Sequence, residues 1–272
     1  MSIRGSALSF SSRGSIEMKY ALLTTFIAFG MLLSCGGGKK KADVEVDQTK
    51  TFENQKALAV SSSWRGNFSQ ALKEIEEAEK INDKDPEVFV IKGAIYMGLK
   101  DYPAAEQNYK KAVGLDPGYT PAHFNLCGLY LIQKNFDQVI SECGLVTADP
   151  TYKARANAYT NIGIAYYNKG DMAKARENYE RALKLNPSFV YAHNEMGKLY
   201  MSTGRYGEAV TEFRQAVDGY PAYDEAYYNL GLAYLKLNDS VNACEAFRKV
   251  VAISPNSEFG VNSNRYINTV CN

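Results

Sequence analysis

Along Asn161-Ile162-Gly163-Ile164-Ala165-Tyr166 the apolar residues recur at three- and four-residue steps, the helical period. Lys169-Gly170-Asp171 breaks that run, and Ala175, Tyr179 and Ala182 carry a second one on steps of four and three. Asn186-Pro187 stops the second run, because proline disfavours helical geometry in the residue before it. The pattern predicts two helices joined by a tight turn. Small residues at Gly163 and Ala175 let them approach closely, while Tyr166 and Tyr179 fill the space around them. The same pair returns about every 34 residues from Phe52 to Ser257, with one longer step between Cys127 and Gly163. A small-residue column runs Ala59, Gly93, Cys127, Gly163, Gly197, Gly231, and three residues on stand Ser62, Tyr96, Tyr130, Tyr166, Tyr200, Tyr234. A second small column runs Ala71, Ala105, Val139, Ala175, Ala209, Ala243, followed four residues later by Ile75, Tyr109, Cys143, Tyr179, Phe213, Phe247. Pro117, Pro150, Pro187, Pro221 and Pro255 close the repeats, with Asp83 in that place in the first.

This series resembles the tetratricopeptide repeat, clearly in five copies and in degenerate form in the first, as befits a terminal capping repeat. The resemblance implies an all-α fold: a right-handed α-solenoid of six repeats at 52–85, 86–119, 120–155, 156–189, 190–223 and 224–257. A C-terminal capping helix would lie within 258–272. Each helix pair buries only part of its apolar face, so the pairs must stack. The 20 tyrosines are then mostly core packing.

Ahead of the repeats, Met18-Lys19-Tyr20 leads into an apolar run from Ala21 to Leu33, then Ser34-Cys35-Gly36. A positive start and about a dozen apolar residues match a secretory signal, and the run is too short to span a bilayer. The ending Leu32-Leu33-Ser34-Cys35 resembles the lipobox of bacterial lipoproteins, which implies a signal over 1–34 and lipid attached to Cys35. A buried helix that happens to end in Ser-Cys is the bland alternative. Residues 1–17 are Ser/Gly-rich and add nothing to the signal, which points to Met18 as its start. Gly36 after the cysteine, where enteric lipoproteins kept at the inner membrane carry Asp, implies an outer-membrane anchor facing the periplasm. Residues 35–51 read as a flexible membrane tether with a reach of about 20–25 Å. Lys39, Lys40 and Lys41 either touch anionic headgroups or form a solvated linker.

Lys and Arg total 31 against 30 Asp and Glu, and a chain this neutral has no electrostatic drive towards nucleic acid. No phosphate loop, zinc helix or nucleophile elbow appears in the sequence, so no enzyme, cofactor, metal or small-molecule substrate is read from it. His123 and His193 share a repeat position that usually carries a large aromatic, and both read as packing residues. Glu74, Glu76, Glu77 and Glu79 read as a solvated helix face.

Apart from Cys35 there are four cysteines, an even number suited to an oxidising compartment. Four cysteines allow three connectivities. In the repeat, the glycine place of Cys127 and the aromatic place of Cys143 face each other, which implies one bridge between them. The other would join Cys244 to Cys271 and pin the tail over the end of the solenoid. Four buried free thiols are the alternative.

In this repeat family the first helices line a concave groove that holds peptide segments. The places that would face it include Val90, Ala94, Met97, Phe124, Leu131, Ile164, Tyr167, Tyr228, Leu232 and Leu235. An apolar, aromatic lining suits an amphipathic or hydrophobic segment. Asn125, Asn161 and Asn229 either bond a peptide backbone there or serve the repeat itself. The apolar places equally serve contact between neighbouring repeats or with the tether.

The lipoprotein signal, tether, six repeats and stapled end together resemble the type IV pilus pilotins, outer-membrane lipoproteins that help assemble the pilus secretin. The stretch Asn242-Ala243-Cys244-Glu245-Ala246-Phe247-Arg248-Lys249-Val250, followed by Pro255, Tyr266 and Cys271, looks most like the delta-proteobacterial version. That resemblance implies secretin as the partner. A general periplasmic scaffold or regulator with a different client shares the same sequence features.

Overall fold

The computed structural model describes residues 39–271, with side chains from Asp47 onward. The expected signal segment and Cys35, the expected place of lipid attachment, lie outside the described residues. The chain divides into Met1–Asp47 and a repeat unit, Gln48–Asn272.

Among the described residues there are helices and no strands. Six hairpins are formed by α1 (Lys39–Trp64) with α2 (Phe68–Ile81), α3 (Pro86–Gly98) with α4 (Tyr102–Leu115), α5 (Thr120–Ile132) with α6 (Phe136–Ala148), α7 (Arg155–Asn168) with α8 (Met172–Leu185), α9 (Val190–Ser202) with α10 (Tyr206–Gly219), and α11 (Asp224–Lys236) with α12 (Ser240–Ile253). A last helix, α13 (Glu258–Val270), follows.

Residues 39–51, expected as flexible tether, belong instead to α1. No Gly or Pro interrupts this stretch, and Lys, Ala, Glu and Gln propagate a helix well. Its polarity suggested coil because it lacks an apolar face. Among the described side chains, buried packing begins at Phe52, and residues 48–51 are exposed.

The hairpin turns follow one rule. Each contains a single residue of positive φ: Gly66, Lys100, Lys134, Gly170, Gly204 or Asn238. Asp101, Asp171 and Asp239 then cap the second helices, accepting from the backbone N–H of Ala104, Lys174 and Asn242. Proline enters the first turn of α3, α4 and α5, where its missing N–H costs nothing.

Packing within each hairpin explains the two small columns. The second-column residues, Ala71 to Ala243, are all fully buried. A Cβ built on Gly93, Gly163, Gly197 or Gly231 would stand within 3.0 Å of the ring of Tyr109, Tyr179, Phe213 or Phe247, respectively. In the third repeat Cys127 and Cys143 occupy those two places, bonded as a disulfide with Cα atoms 5.4 Å apart. A second disulfide joins Cys244 on α12 to Cys271 just beyond α13, with Cα atoms 5.7 Å apart.

Between hairpins, α3, α5, α7, α9, α11 and α13 each touch the next helix of that series. From α4 to α12 the second helices touch only first helices and α13. The first helices therefore crowd along the inner side of the superhelix and the second helices fan out along its outer side. α13 packs on α12 and α11 as the first helix of another repeat would, with Tyr266 stacked on Phe247 at 4.8 Å between ring centroids. Its N-cap Ser257 accepts from the Gly260 N–H, and Ser254 donates to Asp224 at 2.5 Å.

Candidate protein-binding groove

The inner side is built from matching positions on successive first helices. Val90, Met97, Phe124 and Leu131 are half-buried and pack on the core of the second to fourth repeats. Ile164 and Tyr167 border the core of the fourth and fifth. Ala94 is exposed, and Leu232 and Leu235 are half-buried. These places thus serve inter-repeat packing and also present an apolar strip. Two of the aromatics are already engaged by their own chain: Phe124 lies 5.7 Å from the ring of Tyr152, and Tyr228 sits among Phe247, Phe259 and Tyr266. α13 thus covers the place where Tyr228 was expected to meet a partner.

The three asparagines spend their amide N–H groups inside the fold. Asn125 donates to the Pro121 carbonyl at 2.7 Å, Asn161 to Cys127 Sγ at 3.6 Å, and Asn229 to Asn194 Oδ1 at 3.2 Å. Two of these bonds tie neighbouring repeats together.

Polar clusters interrupt the apolar strip on both sides, and sequence reading missed them. At one end Lys56, 6% exposed, reaches Glu87 at 2.6 Å, Glu53 at 3.1 Å and Asp85 at 3.2 Å. Burial works against the ammonium there, but the carboxylates, Glu87 foremost, raise its pKa well above the ordinary lysine value. At the other end, between α9 and α11, Lys198 contacts Glu195 at 2.8 Å and Glu225 at 3.3 Å. Asn194, fully buried, donates to both of those glutamates. Burial pushes the Glu195 carboxyl up. Lys198 is pulled down by burial yet held above its usual range by Glu195 and Glu225. The phenols of Tyr191 and Tyr223 are raised by burial and by these same carboxylates. Asn194 and Lys198 sit at the repeat positions that carry Phe124 and Ile164 elsewhere, so the fifth repeat departs from the apolar strip.

His123 and His193 pack as expected and do more. His123 Nδ1 lies 2.7 Å from Glu142 and Nε2 3.0 Å from the Pro117 carbonyl; His193 repeats this with Glu212 at 2.7 Å and Pro187 at 2.9 Å. A signal for this was present nineteen residues downstream. Where the place holds histidine, that position holds Glu142 or Glu212; where it holds Phe89 or Tyr159, it holds Asn108 or Asn178, each bonded back to its own helix.

Among the described residues no group of three or more His, Cys, Asp or Glu is arranged to hold a metal ion, and no helix is long and apolar enough to cross a membrane. The geometry offers an extended inner surface for a polypeptide.

Known proteins match this arrangement. The tetratricopeptide repeat pattern matches residues 86–119, 156–189 and 194–258. In sequence the chain is 23% identical over 122 residues to the type IV pilus assembly protein PilF of Pseudomonas aeruginosa, covering 45% of this chain and 48% of PilF. It is 28% identical over 140 residues to RNA polymerase II-associated protein 3 of Mus musculus, covering 51% of this chain and 21% of that protein. The chain thus spans about half or less of the curated relatives it matches. In structure, PilW, described as a widely conserved type IV pilus biogenesis factor, superposes with a TM-score of 0.71 at 22% identity, covering 78% of this chain and 97% of PilW. The P. aeruginosa PilF structure gives 0.71 at 18% identity, covering 80% and 99%. The chain is a tetratricopeptide-repeat solenoid, similar in sequence to PilF and in fold to both PilF and PilW.

Proposed function

We propose that this protein is a lipid-anchored outer-membrane lipoprotein that binds secretin subunits and promotes their localisation and multimerisation in type IV pilus biogenesis. The observation that supports this reading is that PilF recurs in both kinds of match: in sequence, 23% identical over 122 residues, and in fold, with a TM-score of 0.71, which the related factor PilW shares.

Three steps make up the mechanism. Lipid on Cys35 holds the repeat unit at the inner leaflet of the outer membrane. The apolar strip shields a membrane-inserting part of a secretin monomer. Contacts between secretin subunits then compete for that surface and release the ring. Cys35→Ala should leave the helical signal intact and move the protein out of the outer-membrane fraction, with loss of outer-membrane secretin rings. Normal rings in that variant would count against the anchor. Phe124 is engaged with Tyr152 and Leu232 is half-buried, so Ala94→Asp, at an exposed place, is the cleaner groove variant. It should lose copurifying secretin while melting as the wild type does, and retained secretin would remove the strip from the mechanism.

A further inference from the structure

Two of the six hairpin turns keep a residue that does not suit them. Gly66, Gly170, Gly204 and Asn238 take the positive-φ place in four turns, but Lys100 and Lys134 stand there with φ of 61° and 59°. The left-handed conformation costs stability for a residue with a Cβ, and lysine lacks the short polar side chain that lets asparagine bear it. Neither lysine offsets that cost with a partner. Both are exposed, and among the described residues no carboxylate pairs with either. Arg65, beside Gly66 in the first turn, is exposed and unpaired in the same way. The fourth and fifth turns differ, because Lys169 pairs with Asp137 and Arg205 with Glu208.

Large apolar side chains stand beside the unpaired cations. Trp64, Leu99 and Ile132 are 53%, 45% and 41% exposed. The equivalent places of the fourth and fifth repeats hold Asn168, Lys169, Ser202 and Thr203. The Phe68 ring at the start of α2 occupies the space where a Cβ on Gly98 would stand, so the first and second turns abut. The carboxylate in these three turns, Asp101, is engaged in capping α4. Repeats one to three thus present a basic, apolar row along the turn edge, and the next two repeats present a polar, charge-paired one.

This row is made of turn tips, so it projects and cannot enclose a peptide as a concave surface can. A plane suits it. Tryptophan settles at the headgroup level of a bilayer, and each lysine or arginine near anionic headgroups adds to the attraction. Glycine in place of Lys100 and Lys134 would relax the turns and lose that attraction.

We propose that the first three turns, through Trp64 with Arg65, Leu99 with Lys100, and Ile132 with Lys134, dock on an anionic phospholipid surface. Trp64 sits at headgroup level and the three cations meet the phosphates. This contact is separate from the groove and from the lipid proposed on Cys35, and it stands whichever client the groove holds.

Trp64 is the one tryptophan in the sequence, so its fluorescence reads this edge alone. The full-length protein is mixed with vesicles of phosphatidylcholine, or of equal parts phosphatidylcholine and phosphatidylglycerol. An anchor elsewhere in the chain attaches it to both kinds, whereas Trp64 emission reports the turns. With phosphatidylglycerol present, the emission should shift to shorter wavelength and acrylamide quenching should fall several-fold, with high salt reversing both. Lys100→Gly combined with Lys134→Gly should shift the balance between inserted and water-exposed Trp64 about thirtyfold towards water. Because both changes relax the backbone, the helical signal and melting should hold or improve, which separates lost docking from lost folding. Trp64 equally quenched on both kinds of vesicle, or shielded equally in wild type and double variant, overturns the proposal. Trp64 that stays in water on vesicles but is shielded by an acidic Glu/Leu peptide also overturns it, and assigns the edge to a protein partner.

Discussion

Raising the pH from 5 to 8.5 should destabilise the fifth repeat through His193. Both ring nitrogens of His193 face acceptors, Glu212 Oε2 at 2.7 Å and the Pro187 carbonyl at 2.9 Å. Only the imidazolium can donate to both; the neutral ring leaves one acceptor facing a lone pair. Burial works against the charge, yet the Glu212 carboxylate and the Pro187 carbonyl outweigh it, so the pKa lies above the ordinary histidine value. A folded-state pKa raised above the unfolded one gives stability that is full below about pH 6.5 and is lost as pH rises through the folded value. Losing one charge-assisted hydrogen bond, partly offset by no longer burying a charge, costs about 1–2 kcal/mol. For a domain of this size that lowers Tm by about 2–8 °C. The control is His193→Phe with Glu212→Asn, which installs the residues the second repeat carries at these two places, Phe89 and Asn108. Melting followed by circular dichroism at several pH values should show wild type losing stability from pH 5 to 8.5 relative to this double variant. Equal pH profiles, or a wild type that gains relative to the variant, would refute the reasoning.

Three further outcomes are expected. Lys134→Gly places the permissive residue at a turn with φ of 59° and should raise stability by about 0.5–1 kcal/mol in a denaturant titration; a loss would show that Lys134 has an unrecognised role. Gly197→Ala drives a methyl into the Phe213 ring and should cost about 1–3 kcal/mol, whereas Gly207→Ala, with open space around it, should be close to neutral. Breaking the Cys127–Cys143 bridge as Cys127→Ala with Cys143→Ala opens a 16-residue loop and should cost about 3 kcal/mol, while Cys127→Gly with Cys143→Tyr should recover most of it by restoring the pairing of the other repeats; equal melting of the two double variants would contradict that account.

The fold was legible because the repeat states its own packing rule several times over. Glycine opposite an aromatic ring, a fully buried column of small residues and a proline stop recur often enough that one degenerate copy does little harm. The same comparison exposes the cysteine pair, since Cys127 and Cys143 fall on two facing places. The groove was less legible. Its apolar places double as packing positions, so Phe124 and Tyr228 read as exposed ligands until Tyr152 and α13 are seen against them. The Asn194–Lys198–Glu225 cluster spans two repeats and fills places that elsewhere hold apolar residues, and no short motif marks it. The helical start of α1 was hidden for the opposite reason: helix propensity without an apolar face resembles linker.

The most direct test of the proposed role is an immunoblot of outer membranes from a strain lacking this protein, probed for heat-resistant secretin multimers. The expected result is loss of the multimers with secretin monomer still present. Multimers at the wild-type level would contradict a role in secretin assembly.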